Sequence, residues 1–339
     1  MKLVMTLLVR NEADIVDANL AFHLLAGVDF VIATDNGSDD GTLEILEAFA
    51  RTGRLHLLRE DGEDMRQDEW VTRMARMAAT DFGADWVINS DADEFWWPRG
   101  GTLKDVLGLI PERYGIVRGC WRHFLPRSDG PANFAERMTV RLCAPAFPGD
   151  KSTIYHAHQK VAHRAHPDVE IEPGNHDAAG RALQPPLRGW HPIEVLHFSF
   201  RSAEQIARKA RGGWVRTPDF EPTDHQILLD HAYREDTLDA FYAEHAFSDG
   251  AVERGLADGS LASDTRLRDV LRVLREPEGR YRLPEAGTSL AFETPNFLDS
   301  AGYAAEASVL VGIDGIVRSE QRVDALEARL ARLRTLPRR

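Results

Sequence analysis

The chain has 339 residues, 43% of them hydrophobic, enough for a sizeable core in one large domain or one domain with an added lobe. Lys and Arg total 41 against 54 Asp and Glu, and the resulting formal charge of −13 repels phosphate backbones and argues against nucleic acid as a partner. With only Cys120 and Cys143 a disulfide framework is excluded and a reducing cytosol is the expected setting; no apolar run approaches the ~20 residues that span a bilayer.

The first hundred residues alternate between two periods. Apolar runs at 3–9, 30–34, 55–58 and 86–89 read as buried strands. The first is followed at once by Arg10, Asn11 and Glu12, so it reads as a strand and not as a cleavable leader. Between the strands, Ile15, Ala18, Phe22 and Leu25 share one helix face that closes at Gly27. Leu43, Leu46 and Phe49 repeat the pattern up to Gly53, and Trp70, Met74, Met77 and Asp81 mark a third helix. This rhythm predicts an α/β fold: a doubly wound, mostly parallel sheet flanked by helices, with ligands at the carboxyl ends of the strands.

Beyond Tyr114 the rhythm breaks into short strands at 115–121, 138–143, 169–172 and 194–199, set in Pro- and Gly-rich loops. Seven of the chain's 13 histidines fall between 156 and 197. Helical patterns return from Ser202. They end on Val323, Leu326, Leu330 and Leu333, an amphipathic helix expected to pack on its own domain and to offer a surface for homo-oligomerisation. The expected division is a first unit over 1–215, with a nucleotide-binding half (1–110) and an acceptor half (111–215), then a helical region over 216–339.

The strongest chemical signal follows the fourth strand, in Asp91-Ala92-Asp93-Glu94-Phe95. Carboxylates this close, straight after an apolar strand, are costly to pack unless something positive joins them, and Asp91 and Asp93 offer hard oxygen ligands to Mg²⁺ or Mn²⁺. A second signal, Asp35-Asn36-Gly37-Ser38-Asp39-Asp40-Gly41-Thr42, follows the second strand. There Asp35 and Asn36 stand where they can hydrogen-bond a base or ribose, and Ser38 and Asp39 serve the βα turn. Val9, Arg10, Asn11 and Glu12 end the first strand and line the same crevice.

These segments resemble glycosyltransferase family 2, which has the GT-A fold, and its subgroup with an Asp-x-Asp-Glu-Phe motif. Asn11-Glu12, Asp35 through Thr42 (with Asn36 in an Asp position) and Asp91 through Phe95 carry the resemblance over 1–100, and Leu196 through Ser202 resembles a later His-aromatic-x-x-Arg-Ser segment. The resemblance implies metal-dependent transfer of a sugar from a nucleotide-diphosphate donor, UDP as first guess, to a glycan or small-molecule acceptor hydroxyl, with inversion. It implies Mn²⁺ or Mg²⁺ at Asp91 and Asp93, and a donor site over Val9–Glu12, Asp35, Asn36, Asp91 and Ala92. Arg66 and Arg73 become candidates for the diphosphate, and Asp177, Glu194 and Asp219 candidates for the base. His197 is the candidate that completes the metal shell, with His176 as its rival. The expected location is cytoplasmic, with peripheral attachment at the inner membrane face left open.

Other readings stay open on other motifs. Gly174-Asn175-His176-Asp177 matches the metal-ligand box of metallophosphoesterases, without that family's other boxes in order. A nucleotidyltransferase would carry a Gly-rich basic loop after the first strand, where only Arg10-Asn11-Glu12 stands. A non-catalytic sugar-nucleotide-binding protein would not need paired Asp91 and Asp93.

Overall fold

The computed structural model describes residues 1–60, 66–128, 132–144, 153–188, 190–212 and 224–281, together with positions 130, 283, 284, 292, 315 and 326. The alternation over the first hundred residues forms as its periods predict: β1 (Leu3–Val9), α1 (Val16–Leu25), β2 (Phe30–Asp35), α2 (Thr42–Arg51), β3 (Leu55–Arg59), α3 (Gln67–Thr80) and β4 (Trp86–Asp91). Every residue of β1 is buried, as expected of a central strand covered on both faces. The motif residues then form a strand of their own, β5 (Glu94–Pro98), followed by α4 (Leu103–Gly108), β6 (Ile116–His123), α5 (Phe134–Arg137) and β7 (Val140–Leu142). β8 (Gln159–Arg164), β9 (Glu170–Ile171), β10 (Ala178–Ala179) and β11 (Ile193–His197) follow. After it come α6 (Ala203–Gly212), α7 (Asp224–Arg234), α8 (Leu238–His245), α9 (Asp249–Asp258), β12 (Leu261–Ser263) and α10 (Arg266–Leu274).

Eight strands make one sheet in the order β3-β2-β1-β4-β8-β6-β11-β5. β3, β2, β1 and β4 are parallel, as are β6 and β11, while β8 and β5 run against their neighbours. The sheet is therefore mostly parallel and flanked by helices, with a largely helical region after it, as the sequence predicts. Two strands of this sheet escaped that reading. β8 looks like a polar loop in sequence, and β5 is hidden inside the Asp-rich motif.

α1 is buried on nearly all sides, including Asn19 and His23. Both are satisfied by backbone of the motif. Asn19 Nδ2 donates to the carbonyls of Ala92 (3.0 Å) and Glu94 (2.8 Å), and His23 Nε2 accepts from the Trp96 amide (3.1 Å). Buried polar groups persist only when partnered, so these bonds pin the Asp91–Trp96 turn to a core helix. Beyond α6, β12 pairs with β7, and α10 lies against α1 and α5. Apart from Leu326, which is exposed, the terminal amphipathic pattern at 323–333 lies outside the described residues, as does the candidate base Asp219.

Candidate active site

The register of the parallel strands sets the crevice. Leu8 lies opposite Asp91 and Val9 opposite Asp35, so β2, β1 and β4 end flush with one another. Asp35 is buried. Its Oδ2 accepts from the Ser38 amide (3.2 Å) and its Oδ1 has no partner. Arg10 Nη1 donates to Asn36 Oδ1 at 3.5 Å, and the Arg10 Nε is also without a partner. Asn11 adopts φ 58° and ties two loops together, its amide donating to Ser38 Oγ (3.0 Å) and its Oδ1 accepting from the Asp39 amide (2.8 Å). It is a turn residue that shapes the crevice. Arg66 and Arg73 are exposed on α3 and its approach, paired with Glu69 (2.8 Å) and Glu60 (2.5 Å), and neither touches the strand-end carboxylates.

The motif carboxylates separate into two sets. Asp91 faces Lys160 of β8, which also donates to the Gly174 carbonyl (2.6 Å) and to Glu94 (3.0 Å), while Asn175 Nδ2 donates to Asp91 Oδ1 (3.0 Å). An ammonium has three protons, so Lys160 is saturated. Asp93 faces the other way. Lys209 of α6 donates to its Oδ2 at 2.7 Å, Arg201 lies at 3.8 Å, and His197 Nε2 lies 3.9 Å from its Oδ1. Glu94 and His197 meet because β5 pairs with β11 in a register that sets them opposite each other. Ligand atoms of Asp93, Glu94 and His197 lie within 4.8 Å of one another, and this group is the one cluster of three or more such ligands gathered among the described residues.

Charge explains the titration of these groups. Five carboxylates (Glu12, Asp14, Asp91, Asp93 and Glu94) meet three cations (Lys160, Arg201 and Lys209), and Arg208 is shared between Asp14 and Asp40. Burial pushes Glu94 up to about 8, helped by Asp91 and Asp93 and opposed by Lys160. Burial likewise raises Glu12 against the pull of Arg201 and Lys209. For Asp93, burial is outweighed by the charges of Lys209 and Arg201, which hold it below its ordinary value. Burial holds His197 neutral, well below its ordinary value in spite of Asp93, so the ring keeps a lone pair for a metal. The His197 Nδ1 has no partner. Carboxylates that outnumber the cations buried with them, beside a neutral imidazole, fit Mn²⁺ or Mg²⁺. The ligand set differs from the expected one, with Glu94 standing where Asp91 was placed.

Three further assignments are corrected. Glu194 is buried under Arg99 (2.8 Å), Arg122 (2.9 Å) and Arg266 (2.7 Å), at the end of β11 remote from His197, so its lone pairs are taken by guanidinium groups instead of an acceptor. Asp177 is bound by Arg118 at 2.6 Å. In the β6–β8 register Arg118 lies opposite Val161 and Gly119 opposite Lys160. Successive side chains alternate, so Asp177 is held on the sheet face opposite to Lys160. His176 stacks on His158 (centroids 3.5 Å apart) and bonds the Gln159 carbonyl (2.8 Å), outside the ligand group. The Gly174–His176 segment is thus a strap across Lys160 and Asp91 and does not gather ligands in the manner of a phosphoesterase box. Lys160, Lys209, Asp14 and the place of Glu94 beside Asp93 and His197 escaped the sequence reading. The available signal for Lys160 was a lysine flanked by Val161 and Ala162.

No protein-family model and no curated protein matches the chain. Among solved structures it is similar to S. aureus TarS 1–349 in complex with UDP-GlcNAc, at 14% identity over 69% of this chain and 71% of that one, with a TM-score of 0.35. The UDP complex of the same protein gives 15% identity over 69% and 70%, TM-score 0.32. Glucosyl-3-phosphoglycerate synthase from Mycobacterium tuberculosis, with Mn²⁺, UDP and glucosyl-3-phosphoglycerate, gives 22% identity over 36% of this chain and 44% of that one, TM-score 0.27. At these scores the likeness is loose, and the geometry of the crevice carries the functional reading.

Proposed function

We propose that the protein is a metal-dependent glycosyltransferase that moves a sugar from a nucleoside-diphosphate sugar to an acceptor hydroxyl, with inversion. The observation that carries this reading is the buried Asp93–Glu94–His197 group just past the carboxyl end of β4, with the unpartnered Asp35 Oδ1 two strands away. Two strand spacings are about 10 Å, the distance from a nucleobase to its diphosphate. Asp35 then accepts from the base or ribose, and Arg10 and Asn36 flank it. Asp93, Glu94 and His197 would hold Mn²⁺ or Mg²⁺, which when bound neutralises the charge left on the departing diphosphate. Asp91 stays with Lys160 and fixes the turn that presents Asp93. The family resemblance makes uridine the first candidate base.

A thermal-shift panel of UDP, GDP and dTDP sugars with and without Mn²⁺ tests the reading, followed by donor hydrolysis or transfer. One donor should stabilise the protein only when metal is present, and Asp93→Ala should abolish turnover while leaving the fold intact. Full activity in excess EDTA, or in Asp93→Ala, defeats the proposal.

A further inference from the structure

The three cations of the cluster are not equivalent. Lys160 and Arg201 are sealed, their side chains 2% and 1% exposed, and each is engaged by two or more acceptors. Lys209 is 20% exposed, with one good bond, to Asp93 Oδ2 at 2.7 Å, a long one to the Ser199 carbonyl at 3.4 Å, and Glu12 at 3.9 Å. It stands on α6, whose start is fixed by the Ser202 hydroxyl accepting from the Gln205 amide (3.0 Å). Gln205, Arg208 and Lys209 fall on one face of that helix, by the three-and-four spacing. Gln205 accepts from the Arg201 amide, Arg208 reaches Asp14 and Asp40, and Lys209 reaches Asp93. α6 is therefore laid over the strand ends by its charges, and its lysine holds a carboxylate of the candidate metal group.

We infer that Lys209 is a placeholder cation: it neutralises Asp93 in the ligand-free protein, and exchanges Asp93 for the donor's diphosphate when a divalent ion arrives. This rests on the nucleotide-sugar reading above. A metal ion at Asp93 competes with the ammonium for the same carboxylate and repels it, since like charges a few ångströms apart in a buried setting interact strongly. The long, flexible stem of lysine lets the head group swing. The partly exposed Lys209 head group is open to an anion brought in with the metal. Exchange keeps Asp93 beside a cation at each stage, and it couples metal binding to diphosphate binding.

The test measures two constants in the full chain: that for Mn²⁺ alone, by electron paramagnetic resonance, and those for UDP, GDP and dTDP at saturating Mn²⁺, by calorimetry. Lys209→Met should bind Mn²⁺ alone about tenfold more tightly and the preferred nucleoside diphosphate about tenfold more weakly, shifts well within calorimetric range. Lys209→Arg, which keeps the charge, should stay near wild type in both. Thermal melts check the fold, and Lys209→Gln, which can still hydrogen-bond Asp93, replaces a methionine variant that fails to fold. A change in only one constant, or in neither, overturns the exchange. Wild-type protein that binds none of the three nucleotides with Mn²⁺ refutes the nucleotide reading and this inference with it.

Discussion

Lys160→Met is the sharpest test of how the crevice is built. The ammonium is buried and serves Asp91, Glu94 (3.0 Å) and the Gly174 carbonyl (2.6 Å). Methionine keeps the stem's bulk and removes the charge. The Asp91 side chain, 29% exposed, can take up water in its place, whereas Glu94 is fully enclosed. Breaking a buried pair by removing one partner costs about 3–5 kcal/mol. Losing the donor to the Gly174 carbonyl belongs to the same event. At roughly 2–4 °C per kcal/mol for domains of about this size, the melting temperature should fall on the order of 10 °C. Lys160→Met with Glu94→Gln should recover a sizeable part of that fall, because the second change removes the enclosed acid that the first left without its cation. The assay is a thermal melt without ligand. A fall under about 2 °C, or a double variant that loses the sum of the two single losses, refutes the account of Lys160 as an internal cation.

Two further outcomes follow from the same geometry. Glu194→Gln should cost about 3 kcal/mol in urea unfolding by exposing its arginines to one another, while the donor dissociation constant stays within about twofold; stable protein with lost donor binding would return Glu194 to the active site. Glu94 holds its proton up to about 8, above the ordinary 4.5, so the folded state binds a proton that the unfolded chain has released, and stability falls as pH rises from 4.5 to about 8. Melting temperatures across that window should fall less steeply in Glu94→Gln than in wild type, and equal slopes would show that Glu94 does not titrate there.

Sequence by itself determined the strand–helix alternation of 1–91, because helical and strand periods are local properties written in apolar spacing. It also pointed to Asp35 and Asp93, since polar residues that follow apolar strands fall at the carboxyl edge of a parallel sheet, while His197 was singled out by the family resemblance. Tertiary structure decided which carboxylates act together. Asp91 and Asp93 look equivalent in the motif, and only the insertion of β8 between β4 and β6 brings Lys160 to Asp91. Glu94 joins His197 through the antiparallel register of β5 with β11, strands far apart in sequence. Glu194 and Asp177 are carboxylates like any other until Arg266, on a helix after β12, and Arg118, on β6, claim them. Lys209 is one lysine on an amphipathic helix until α6 folds back over the strand ends. A residue's type sets what its side chain can bond, but the charge that meets it comes from whichever distant element the sheet order places alongside, and that order is fixed by the packing of the whole chain.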